Sequence, residues 1–151
     1  MTTFTGDNNA NIADSTVFLS LSGFTGGTWF DLVDGVGDTI RGLNGNDFIR
    51  AGNAGDVIEG GFGSDTLYGQ GGNDAIYAMT STDLDGSFAG DNMNGGDGDD
   101  GLKGSSGADT LNGDAGDDLL KGGAGADALN GGTGSDTATY IDSSVAVTVN
   151  L

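Results

Sequence analysis

Residues 60–68 read GGFGSDTLY, and residues 69–77, immediately after, read GQGGNDAIY. In each, an Asp follows a glycine-rich run and an aliphatic residue follows two places later. Stepping outward by nine gives GLNGNDFIR (42–50) and AGNAGDVIE (51–59) before them. Later come GGDGDDGLK (95–103), GSSGADTLN (104–112), GDAGDDLLK (113–121), GGAGADALN (122–130) and GGTGSDTAT (131–139). With the unit numbered 1–9, Asp holds position 6 and the aliphatic position 8. Two poorer units, carrying Asp83 and Asp91, join the blocks if one residue is deleted from the first. Counting back nine from Asp47 adds Asp38. The period then runs from 33 to 139, about 70% of the chain.

One apolar residue in nine cannot form the stripe of an amphipathic helix, which needs three or four in two turns. Glycine at this density costs a helix about 1 kcal/mol per residue relative to Ala. A three-residue strand with its middle side chain inward does fit, with glycine in turns that require positive φ. Two units then make one coil of turn, strand, turn, strand. Stacked coils form two short parallel sheets that bury the column Ile40, Ile49, Ile58, Leu67, Ile76, Leu84, Met93, Leu102, Leu111, Leu120, Leu129 and Ala138. The expected class is all-β: a parallel β-roll, a right-handed β-solenoid with capping strands at both ends.

Composition narrows function. The 151 residues carry 23 acids, all Asp but Glu59, against Arg41, Arg50, Lys103 and Lys121, for a net charge of −19. That excludes a nucleic-acid binder, which needs basic surface against phosphates, and docking on an anionic membrane. Such charge repels itself in a compact chain. His, Cys and Pro are absent, so there is no disulfide, no thiol ligand and no Ser–His pair for nucleophilic catalysis. A non-enzyme is expected. The N-terminus lacks a basic start and apolar run, and no stretch is long and apolar enough to span a bilayer as a helix.

The units resemble the RTX (repeats-in-toxin) nonapeptide G-G-x-G-x-D-x-U-x, U being a large aliphatic, whose known form is a calcium-binding parallel β-helix. Nine good matches in register make the resemblance specific. It implies Ca²⁺ as cofactor, and the chemistry agrees: calcium takes six to eight oxygens at about 2.3–2.6 Å, which Asp carboxylates and inward-turned carbonyls can supply. The ligand carboxylates expected are Asp47, Asp56, Asp65, Asp74, Asp100, Asp109, Asp118, Asp127 and Asp136. The resemblance further implies that carbonyls of positions 1, 3 and 5 face one ion, and those of position 2 another. These carbonyls belong to Gly42, Asn44 and Asn46; to Gly60, Gly61, Phe62 and Ser64; and to Gly95, Gly96, Asp97 and Asp99. In the last units they belong to Gly104, Ser106 and Ala108; to Gly113, Ala115 and Asp117; to Gly122, Gly123, Ala124 and Ala126; and to Gly132. Loops 18 residues apart stack, so one ion bridges two. The best pairs are Asp47/Asp65, Asp56/Asp74, Asp100/Asp118, Asp109/Asp127 and Asp118/Asp136, giving about five well-formed sites and at most eight. The loop at 78–83 has no glycine, so Asp83 and Asp85 are expected in a bulge without metal.

Three segments are expected in one domain: a β cap over 1–32, the roll over 33–139 with a degenerate unit at 78–94, and a capping strand over 140–151. STVFLSLSGF (15–24) reads as strand, Trp29 and Phe30 as a cover for the first coil, and the alternation Val145, Val147, Val149 as the closing strand. The chain stops within this segment, which suggests a fragment of a longer secreted protein. The function expected is a calcium-binding module that folds on meeting extracellular calcium, after type I export if it follows the family it resembles. Its partners are calcium ions, with an extracellular glycan or the rest of the parent protein as further ones. An adhesion or carbohydrate-binding module is the alternative, marked by an exposed aromatic or basic stripe, for which Tyr68, Tyr77 and the four cations are the candidates. An ice-binding roll fits less well, since position 5 (Asn46, Gly55, Ser64, Asn73, Thr82, Gly90, Asp99) is irregular.

Overall fold

A computed structural model describes residues 29–31, 35, 37–78, 90–140 and 146–151. The expected strand at 15–24, and Asp83, Leu84, Asp85 and Val145, lie outside the described residues. The described residues contain no helix and thirteen strands. Strands β1 (Trp29–Asp31), β3 (Phe48–Arg50), β5 (Thr66–Gly71), β7 (Asn92–Asp97), β9 (Thr110–Ala115), β11 (Ala128–Thr133) and β13 (Thr148–Asn150) form one sheet in that order. Strands β2 (Thr39–Asn44), β4 (Val57–Phe62), β6 (Ala75–Tyr77), β8 (Gly101–Lys103), β10 (Leu119–Lys121) and β12 (Thr137–Thr139) form the other. Every pairing is parallel. Odd strands in one sheet and even strands in the other are what a coil of two nonapeptides produces. The fold is a parallel β-roll.

Position 8 makes the core. Ile40, Ile49, Ile58, Leu67, Ile76, Met93, Leu102, Leu111, Leu120 and Leu129 are all buried, with Ala51 and Ala78 beside them. Their neighbours at positions 7 and 9 point out, because successive side chains on a strand face opposite ways. The core is therefore one side chain deep, closed between two sheets that both face solvent. Ala138 and Val147 pack partly against its end, and Val149 follows in β13 beside Leu129. Six of the strands are six residues long rather than three. The extension arises where turn residues stay in register with the next coil, as where Gly45 N–H donates to Phe62 C=O at 2.8 Å.

The junction between the two blocks departs from the expected register. Counting Asp83 as a coil position would set Asp65 beside it, 18 residues on. Instead Leu67 pairs with Met93 and Ile76 with Leu102, a step of 26 in both sheets. The excess, 26 − 18 = 8, falls between Ala78 and Gly90. The physical reason lies in the core: Met93 fills the inward position between Leu67 and Leu111, and the coil closes from Ala78 to the well-formed loop at Gly90–Asp91 without using Asp83.

Candidate metal centre

Each loop enters a strand at its position-6 Asp, and that Asp faces inward. Asp47, Asp56, Asp65, Asp74, Asp100, Asp109, Asp118 and Asp127 are at most 4% exposed. These are not solvated turn residues. Only Asp136, in the last full loop, is half-buried.

The two carboxylate oxygens do different work. Oδ1 accepts the backbone N–H of the Asp one coil earlier. Along one side of the roll the chain of bonds runs Asp38–Asp56–Asp74–Asp100–Asp118–Asp136, at 2.7–3.1 Å. Along the other it runs Asp47–Asp65–Asp91–Asp109–Asp127, at 2.8–3.1 Å. All five loop pairs expected from the sequence are therefore neighbours, and so are Asp65/Asp91 and Asp74/Asp100 across the junction. Asp38 and Asp91 belong to the stacks as well, although the expected ligand set does not include them. Their nine-residue steps to Asp47 and Asp100 were the available signal.

Oδ2 turns back over the first residue of its own loop. A Cβ added to Gly60 would stand 3.1 Å from Asp65 Cγ and 3.0 Å from Ala78 O, and one added to Gly42 would stand 2.9 Å from Asp47 Cγ. This packing, rather than turn geometry, favours glycine at position 1; the exception among the well-matched loops is Ala51, in the loop where Gly52 N–H meets Asp56 Oδ2. Glycines at positions 2 and 4 serve the left-handed region instead, as Gly61 (φ 109°) and Gly63 (φ 136°) do, a region that Gln70 and Asp114 also enter at position 2. In two loops a backbone amide meets Oδ2: Gly52 N–H reaches Asp56 at 3.1 Å, and Ser105 N–H reaches Asp109 at 2.8 Å. In Asp47, Asp65, Asp74, Asp100, Asp118 and Asp127 it is buried with no hydrogen-bond donor.

A buried anionic oxygen without a donor costs several kcal/mol unless a charge or proton meets it. The electrostatics say the same. Burial, reinforced by Asp91 and Asp47, pushes the Asp65 carboxyl up to about 7 against the pull of the Asp47 amide. Burial likewise lifts Asp74 to about 7, with Asp100 and Asp56 adding repulsion. Asp91 and Asp100 rise to about 6 for the same first reason, and burial also raises Asp109 and Asp118. Six buried oxygens in want of positive charge, on loops rich in backbone carbonyls, fit a hard divalent cation. Among the described residues no three acidic side chains converge on one point, so the donor set has to be mixed, carboxylate with backbone oxygens. That is a composition calcium accepts.

The other expected ligands lie on the same loops. Gly42, Gly60, Gly95, Gly104, Gly113 and Gly122 are buried under their Asp, and Gly61 is buried next to Gly60. Asn44 ends β2. At position 3, Phe62, Asp97 and Ala115 already accept an amide from the preceding coil through their carbonyls, leaving one lone pair each. Ser106 and Ala124 occupy the same position in their own loops. Gly96, Gly123 and Gly132 hold position 2, all with positive φ.

Position 5 forms an outer ladder that the sequence reading missed. Asn73 Oδ1 accepts Asp99 N–H at 3.1 Å, Asp99 Oδ1 accepts Asp117 N–H at 2.9 Å, and Asp117 Oδ1 accepts Ser135 N–H at 2.8 Å. On the other side Asn46 Oδ1 accepts Ser64 N–H at 3.0 Å, and Ser64 Oγ donates to Gly90 O. Asn46, Ser64, Asp99 and Asp117 are exposed, as are Ala108 and Ala126 at this position. Where this position is Asn or Asp, as at Asn46, Asn73, Asp99 and Asp117, its side-chain oxygen accepts an amide of the next coil.

The model of the RTX calcium-binding nonapeptide repeat matches the chain in four overlapping copies, at residues 34–64, 50–84, 85–120 and 103–138. No curated protein and no solved structure matches it. The matched span covers well over half the chain and coincides with the coils and their buried Asp stacks; the chain belongs to the RTX calcium-binding nonapeptide-repeat family, and it is a calcium-binding β-roll module.

Proposed function

We propose that this module is a calcium-dependent folding unit of a secreted protein, without catalytic activity of its own, whose ions lie between loops stacked along both sides of the roll. The observation that carries the reading is the set of six buried Oδ2 atoms with no donor. The position-6 Asp residues named above supply the charge, and carbonyls of positions 1, 2, 3 and 5 complete the shell. About five sites follow from the best loop pairs, and the two pairs across the junction make further candidates.

Linkage supplies the mechanism. Without metal, the buried carboxylates and the net charge of −19 oppose a core one residue deep. Calcium binds the closed loops and not the open chain, so its binding free energy becomes folding free energy. Extracellular calcium modules typically bind at about 10⁻⁴–10⁻³ M. Low cytosolic calcium leaves such a chain open for export, and the exterior closes it. Circular dichroism during a calcium titration tests this: a β signal that grows with calcium is expected. A signal already complete in chelator at neutral pH rejects coupled folding.

A second reading has one observation in its favour. On the outer face of the even-strand sheet, register aligns Tyr77 with Lys103 and Lys103 with Lys121. An aromatic and two cations in one column suit an extracellular glycan. Binding to a glycan array in calcium, lost in Tyr77→Ala, is the result expected of such a module.

A further inference from the structure

Of the nine well-matched repeat loops from Gly42 to Asp136, seven carry a single acid, the position-6 Asp, and so does the loop ending at Asp91. Only the loops 95–100 (GGDGDD) and 113–118 (GDAGDD) carry more. These two are consecutive on the same side of the roll, joined by the bond from Asp100 N–H to Asp118 Oδ1 at 2.8 Å. Their six carboxylates are Asp97, Asp99, Asp100, Asp114, Asp117 and Asp118. Asp100 and Asp118 are 3% and 2% exposed, and each holds an Oδ2 with no donor. The other four are on exposed residues around them, Asp114 in a left-handed turn with φ 74°. In the opposite stack no well-matched loop from Gly42 to Asp127 has a second carboxylate, Asp83 and Asp85 belonging to the eight-residue excess of the junction.

Resting on the calcium reading above, we infer that the loop pair 95–100/113–118 is the module's tightest calcium site and its folding nucleus, with Asp97, Asp99, Asp114 and Asp117 acting as charge-supplying residues whose carboxylates are not ligands. Calcium affinity in oxygen sites is tuned by ligand charge and rigidity. A nearby carboxylate attracts a divalent ion without touching it, the energy falling only as the inverse of distance. Asp99 and Asp114 lie near enough to act on both buried carboxylates, for each adds to the repulsion at Asp100 and at Asp118. In the metal-free roll these added carboxylates oppose closure of the two loops, and a bound cation reverses the sign of the same interactions. In a stacked roll each coil rests on its neighbours, so a first filled pair becomes the template for the rest.

The test is hydrogen exchange during a calcium titration of the whole chain, with a fourfold variant, D97N/D99N/D114N/D117N. Asparagine keeps the amide-accepting oxygen, as Asn73 already does in this ladder, and tolerates the turn at Asp114. A control variant, D7N/D14N/D83N/D85N, removes equal charge outside the well-matched repeat loops. In the wild type, amides of 95–121 are expected to gain protection at the lowest calcium. In the fourfold variant that first step should need about tenfold more calcium or higher, while the control moves less than about twofold. Protection arising first elsewhere, or equal shifts in both variants, overturns the inference and leaves the calcium reading standing. A wild type whose exchange ignores calcium overturns that reading, and this one with it.

Discussion

At the residue scale, the position-6 Asp has two jobs that a substitution can separate. Asp65 Oδ1 accepts the Asp47 amide, while Oδ2 is buried with no donor and the carboxyl sits at about 7. Asp65→Asn keeps an acceptor for the amide and removes the charge. It is expected to leave the metal-free chain equally or more folded in chelator, and to raise the calcium midpoint several-fold; paired circular dichroism titrations check both. A variant less folded in chelator would show that the charge itself supports the metal-free coil. Gly60→Ala strikes the same carboxylate from below. Its Cβ has no room beside Asp65 Cγ and Ala78 O, so overpacking should cost about 1–3 kcal/mol, measured by denaturant unfolding in saturating calcium. Glycine at position 1 was legible in the sequence as part of a turn. Its actual reason, the carboxylate folded onto it, was not.

At the element scale, each strand contributes one buried side chain. Leu111 stands between Met93 and Leu129 in the odd-strand sheet and is fully buried. Leu111→Ala opens a gap that neighbours pinned in their own rungs cannot fill, so a loss of about 2–5 kcal/mol is expected in saturating calcium. Denaturant unfolding measures it, and a loss under about 1 kcal/mol would mean that the coils collapse around the gap, since the cost of such a truncation depends on how well the site can close. The junction gives an element-scale test of register. Deleting residues 79–86 removes the eight-residue excess and joins Ala78 to Ser87, so that Leu67 and Met93 become 18 apart. The shortened chain should keep its calcium-induced β signal with an unchanged or higher melting temperature, since a shorter closure loses less entropy. Loss of the β signal would mean that the excess residues are needed for the two blocks to join.

At the scale of the whole molecule, protons and calcium compete for the same oxygens. The raised values of Asp65 and Asp74, about 7, and of Asp91 and Asp100, about 6, lie well above the 3.8 of an exposed Asp. The metal-free folded roll thus binds more protons than the open chain, and its stability falls as pH rises from about 4 to about 7. The metal-free chain should show more β structure near pH 5 than at pH 8, and calcium affinity should fall on acidification through the same window. Circular dichroism in chelator and calcium titrations at several pH values measure the two; a flat response from about pH 4 to about pH 8 would mean the carboxylates are solvated in solution.

The sequence by itself determined the coil. A nine-residue period with Asp at 6 and an aliphatic at 8 admits no helix, and spacing alone predicts which strands share a sheet and which of Asp47, Asp65, Asp100 and Asp118 are neighbours. Local pattern suffices there because every contact in a roll is made to the adjacent coil. Tertiary structure decided the rest. It set the step of 26 at the junction, where core packing of Met93 overrides the count that used Asp83. It held one oxygen of the stacked carboxylates on the preceding coil's backbone and left the other, in six of them, buried with no hydrogen-bond donor. It also brought Asp97, Asp99, Asp114 and Asp117 to one side, since residues 18 apart become neighbours only once the coils stack.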